Sequence, residues 1–126
     1  LKKLTLIVRI LMGLVFVASG IAFFLTTPPP LEGAMADFFK GMAATGYFFL
    51  LLKGTEIVCG LLLISGRFVP LALVVLAPII LNIFLVHAFM APEGLPVAII
   101  LGIFEVYLAF FSAEYSPTIK QLFTAR

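Results

Sequence analysis

The sequence predicts an all-α membrane protein. Its architecture is a four-transmembrane-helix bundle with a short amphipathic interfacial helix between spans one and two, all in a single domain, residues 1–126. Three observations predict it. Hydrophobic residues make up 63% of the chain and charged ones 11%, against about half and about a quarter in soluble domains. With a mean hydropathy of +1.28, the chain has too few charges to cover a soluble surface. The apolar residues gather into four runs, each near the roughly 20 residues that cross a bilayer. The breaks between runs carry Pro, Gly and charge, the residues that end helices and face water.

The first span is expected over about Leu4–Thr26. Lys2 and Lys3 before it imitate a signal peptide, but the apolar part reaches Leu25, beyond the roughly 7–15 residues of a signal h-region. It is read as a retained span, stopped by Pro28-Pro29-Pro30, which cannot continue a helix interior. In the next stretch, Leu31, Met35, Phe38, Phe39 and Met42 recur at helical spacing. Gly33, Ala36, Asp37 and Lys40 fall on the other face. The segment is too short and too charged to span, so Leu31–Met42 reads as an interfacial helix with Phe38 and Phe39 inward.

The second span is expected over about Thr45–Ser65, closed by Gly66. The third covers about Phe68–Met90. Pro78 inside it removes a backbone donor and predicts a kink. The fourth covers about Leu95–Ser112, with an extension to Tyr115 left open. The short loops at Gly66-Arg67 and Ala91–Gly94 make sequential spans antiparallel neighbours. Lys2, Lys3, Arg9, Arg67, Lys120 and Arg126 fall toward one end of the bundle and Lys40 toward the other. The positive-inside rule then puts both termini in the cytoplasm.

Composition excludes several functions. The net charge is +2 and the basic residues are scattered, so no electrostatic footprint for nucleic acid exists. Cys59 is the single cysteine, so one chain forms neither a disulfide framework nor a CxxC pair. His87 is the single histidine, which rules out bis-histidine haem ligation within one chain. No metal site and no catalytic residue is predicted.

The residues that stand out are polar groups inside the spans. An acid and a base within a span are expensive unless they pair or line a polar cavity. Lys53 and Glu56 are i,i+3 neighbours on one helix face. Counting about 1.5 Å per residue places Glu56 near the midplane and Asn82 at a depth similar to Lys53. His87 lies nearer the outer surface. Lys53, Glu56, Asn82 and His87 are therefore expected to form one ligand-binding cluster. The plainer reading is a neutralised Lys–Glu pair, with Asn82 and His87 making interhelical hydrogen bonds. Toward the other end, Arg9 and Glu105 are expected to form a structural ion pair, with Glu56 as the alternative partner of Arg9. Small residues mark the seams: Gly13 and Gly20 flank Phe16 on the first span, and Ala98, Gly102, Ala109 and Ser112 line the fourth. Such stripes let membrane helices approach closely.

The run Leu52-Lys53-Gly54-Thr55-Glu56 through Gly60, Gly66-Arg67 and Pro70-Leu71-Ala72 resembles the DoxX family of small bacterial membrane proteins. Ala77-Pro78 through Asn82 to His87 and the first-span pattern Arg9, Gly13, Phe16, Ser19-Gly20 are similar to it as well. The resemblance covers nearly the whole chain. It implies a four-span bundle in the bacterial inner membrane. Relatives include a subunit of an archaeal thiosulfate:quinone oxidoreductase and members linked to redox-stress complexes or membrane-protein biogenesis. Of this chain's residues, Arg9, Glu56, Asn82 and His87 match motif-like positions.

The expected function is an accessory membrane subunit, not an enzyme alone, with a polar intramembrane pocket for a lipophilic ligand (quinone or lipid) or a partner helix. No cofactor is certain; quinone is the one the resemblance suggests. Expected partners are membrane lipid, another membrane subunit or redox complex, and a second copy of the chain. Three alternatives stand beside this reading: a proton-coupled small-molecule transporter, a quinone-linked oxidoreductase membrane subunit, and a purely structural partner-binding protein.

Overall fold

A computed structural model describes residues 2–26 and 31–125 of the chain. The predicted helix stop at Pro28–Pro30 lies outside the described residues, as does Arg126. The elements, in order, are α1 (Lys2–Leu25), α2 (Gly33–Ala44), α3 (Phe48–Ser65), α4 (Val69–Phe89), a 3-10 turn (Pro92–Gly94), α5 (Leu95–Val106), a π turn (Tyr107–Phe111) and α6 (Ser116–Gln121). Among the described residues no strand occurs. Lys2–Leu25, Phe48–Ser65, Val69–Phe89 and Pro92–Phe111 are each long and apolar enough to cross a membrane. The fold class is therefore as the sequence predicts, and the chain is a multi-pass membrane protein. Large apolar side chains such as Leu50, Leu61 and Ile103 stay exposed on the outside of the bundle, where a bilayer, not water, is their solvent.

α1 packs along α3, α3 against α4, and α4 against α5, which returns to touch α1. The core between them holds Met12, Phe16, Leu63, Leu73, Leu76 and Leu108, all fully buried. The α1–α3 contact is the most extensive, and glycine makes it so. A Cβ on Gly13 would lie 2.7 Å from the Gly60 carbonyl oxygen, and one on Gly60 would lie 2.8 Å from the Gly13 carbonyl oxygen. Lipid is as apolar as a side chain, so close backbone approach and its dispersion contacts hold membrane helices together. The stripe on the fourth span behaves differently. Ala98 and Ala109 are buried, but a Cβ on Gly102 would meet nothing within 4 Å. That position opens into a groove and seals no seam.

The connections have local causes. α3 ends on Gly66 at φ 77°, a left-handed cap that costs glycine no Cβ clash. The Thr45 hydroxyl accepts the Phe48 N–H at 2.9 Å, satisfying one free donor at the start of α3. α4 runs on through Pro78 without interruption. At the end of the bundle that carries the termini, the Thr5 and Tyr107 hydroxyls share a hydrogen bond of 2.9 Å. Ser112 closes the π turn there: its N–H donates to the Tyr107 carbonyl at 2.9 Å and its hydroxyl to the Leu108 carbonyl at 2.6 Å. α6 was not expected from the sequence; it packs on the π turn and on α4.

Candidate functional site

At the opposite end, α2 covers a cavity of about 170 Å³. Three helices supply its walls, each at helical spacing. α3 presents Phe49, Leu52, Lys53 and Glu56; α4 presents Ile79, Asn82, Ile83, Val86 and His87; α2 presents Met35, Phe38, Phe39 and Met42. All four residues of the predicted polar cluster line this one space. The α2 segment is helical as expected, and Phe38 and Phe39 are partly buried on its inner side.

Lys53 and Glu56 form an ion pair, Nζ to Oε2 3.5 Å, the single one among the described residues. Glu56 is 2% exposed, while the Lys53 side chain retains 18% exposure. The Lys53 ammonium also sits 5.7 Å from the centre of the Phe23 ring, a geometry in which the ring face attracts a cation. Phe23 packs on Phe49 at 4.9 Å between centroids, and Phe49 stacks on Phe39 at 5.4 Å and 15°. This aromatic run links α1, α3 and α2 and fixes the roof over the ion pair. The sequence reading missed Phe23 and Phe49; the i, i+3, i+4, i+7 spacing of Phe49, Leu52, Lys53 and Glu56 is the signal for the second.

His87 is held within its own helix: Nδ1 lies 2.8 Å from the Ile83 carbonyl. A carbonyl only accepts, so Nδ1 carries a proton and donates it. On the far side the ring abuts Gly94 closely enough that any Cβ there would strike it. Asn82 is exposed and makes no protein hydrogen bond. α2 lies along α3 and does not reach α4 at backbone distance. Asn82, on the α4 wall of the cavity, is its most exposed polar group, on the side where α2 and α4 stand apart.

The predicted inner pair does not form. Among the described residues Arg9 has no carboxylate within 4.0 Å and its buried Nε has no partner; its Nη1 donates to the Tyr115 hydroxyl at 3.0 Å. The physical reason is the chain after the fourth span. It turns back at Ser112 and delivers the Tyr115 hydroxyl to the guanidinium, which lies beside Gly66. Glu105 is buried with Oε1 unpartnered.

Larger voids exist elsewhere: about 560 Å³ between α4 and α5 and about 490 Å³ between α3 and α4. Both are shallower and less enclosed than the α2 cavity; Glu105 lines the first, and the second has no charged residue in its lining, whereas the α2 cavity holds the polar cluster. Among the described residues no group of three or more His, Cys, Asp or Glu is clustered to hold a metal.

Fold and cavity together define a class: a small helical membrane protein with an internal ion pair facing a void. The DoxX family model matches residues 4–88. The chain belongs to the DoxX family, and the match takes in every residue lining the α2 cavity. No curated protein and no solved structure matches it.

Proposed function

We propose that this chain is an accessory membrane subunit whose α2 cavity holds the polar head of a lipophilic small molecule. One observation carries the reading: the Lys53–Glu56 pair faces a void instead of being packed shut. A buried ion pair is weak evidence for stability, and an ionisable residue within a span is a functional hypothesis by default. The volume of about 170 Å³ suits a head the size of one ring, since an apolar cavity of about 150 Å³ holds benzene. The side where α2 and α4 stand apart gives an apolar tail a way out into lipid.

A quinone head fits these residues. Lys53 and Asn82 offer donors to a quinone carbonyl, Glu56 offers acceptors to a quinol hydroxyl, His87 adds a ring edge to the wall, and Phe39 and Phe49 offer ring faces. When bound, a quinone supplies redox chemistry that this chain's residues position without performing. The same reading places the protein in the bacterial inner membrane with both termini cytoplasmic, in the company of a redox partner. Proton-coupled transport has less support, because Lys53 occupies the carboxylate that such a cycle needs free.

The test is a binding titration of the full chain in lipid nanodiscs with a decyl-substituted benzoquinone. Glu56→Gln removes the acid and Ile83→Phe narrows the cavity. Saturable binding that weakens about tenfold or more in both variants is expected, the size of one hydrogen bond to a charged group. Equal affinity in wild type and both variants overturns the assignment.

A further inference from the structure

The groove between α4 and α5 holds a second buried acid, apart from the α2 cavity. Two voids meet at Ala77 and Glu105, one of about 560 Å³ and one of about 290 Å³. Glu105 is the single charged residue lining either of them. It is 9% exposed; among the described residues its buried Oε1 has no hydrogen-bond partner, and no cation lies within 4.0 Å of the carboxylate. Arg9, the partner the sequence predicts for it, gives its Nη1 to the Tyr115 hydroxyl instead. A buried carboxyl left without a partner is costly, so a fold that keeps one beside an open groove leaves it a partner from outside.

We propose that this groove binds a lipophilic amine, with the Glu105 carboxylate receiving the ammonium. An ammonium supplies charge and N–H donors together, the strongest complement to a lone carboxylate. The walls supply the rest. Small residues at Ala98 and Gly102 keep the groove wide, and nothing occupies the space a Gly102 side chain would take. Leu81 and Phe111 at its rim are 58% and 74% exposed, so the ligand enters from the bilayer with its apolar body against α4 and α5. The π turn begins two residues after Glu105, and such single turns recur at functional sites. Glu105, the π turn and α6 all lie beyond residues 4–88 of the family match.

The experiment is equilibrium binding of radiolabelled dodecylamine to the full chain in phosphatidylcholine nanodiscs, corrected with empty discs. Wild type should bind one equivalent saturably. Glu105→Gln should weaken binding by about ten- to hundredfold, the worth of a charge-assisted hydrogen bond. Gly102→Phe should do the same by filling the groove while leaving the carboxyl intact. Dodecanol should compete poorly. No saturable binding, undiminished binding in either variant, or equal competition by dodecanol overturns the proposal. Gly54→Ala serves as the folded control, because a Cβ there meets nothing within 4 Å, and should leave dodecylamine affinity unchanged; a parallel loss there means the groove variants act through the fold and overturns the Glu105 site.

Discussion

Replacing Gly60 by alanine tests how the bundle is held together. The new Cβ would lie 2.8 Å from the Gly13 carbonyl oxygen and 2.7 Å from Val17 Cγ2, where ordinary contact begins at 3.4 Å. Val17 can shift its side chain, but the carbonyl is backbone and cannot turn away. α1 and α3 must therefore move apart along their most extensive contact. Overpacking of this kind costs about 1–3 kcal/mol, and the intrinsic helix preference of Ala over Gly offsets up to about 1 kcal/mol of it. The clash is with backbone, so a net loss of about 1–2 kcal/mol is expected. Gly54 on the same helix is the control, because a Cβ there meets nothing within 4 Å. Gly54→Ala should be neutral or gain up to about 1 kcal/mol. Reversible unfolding of the three proteins by SDS titration, followed by circular dichroism, gives the order. If Gly60→Ala is as stable as Gly54→Ala, close backbone approach is not what joins α1 to α3.

Three further outcomes follow from the geometry. Removing Lys53 leaves Glu56 unpaired, so Lys53→Met should cost stability toward the lower end of about 3–5 kcal/mol, because the cavity is open; adding Glu56→Leu should recover most of the loss, and a double variant no better than the single contradicts the pairing. Arg9→Gln and Tyr115→Phe should couple by about 1–2 kcal/mol in a double-mutant cycle, whereas Arg9→Gln and Glu105→Gln should be additive to within about 0.5 kcal/mol; the reverse pattern restores the Arg9–Glu105 pair. Cysteines placed at Glu93 and at Gln121 should label from opposite sides of the membrane, with Glu93 outside; the native Cys59 is buried and adds little background.

Local and periodic features of the fold could be read directly from the residues. Phe38, Phe39 and Met42 repeat at helical spacing, so α2 is legible in the sequence. Lys53, Glu56, Asn82 and His87 could be brought to one space because a helix rises uniformly and short loops set neighbouring depths. Features that depend on what comes after a span were not legible. Arg9 meets Tyr115 because the chain reverses at Ser112, and nothing in the spacing of Arg9 and Glu105 encodes that turn. Gly102 belongs to the same kind of stripe as Gly13 and yet borders an open groove; a stripe records where a helix can approach, not whether another helix does. That His87 Nδ1 donates within its own helix also required the Ile83 carbonyl to be located.

The central claim is that the Lys53–Glu56 cavity is a binding site. An experimental density map of the full chain, purified in nanodiscs formed with native membrane lipid, tests it most directly. The account predicts non-protein density of ring size beneath α2, within hydrogen-bond reach of the Lys53 ammonium, with a tail leaving between α2 and α4 beside Asn82. A map in which α2 closes onto α4 and protein side chains fill the space around Glu56 would contradict it.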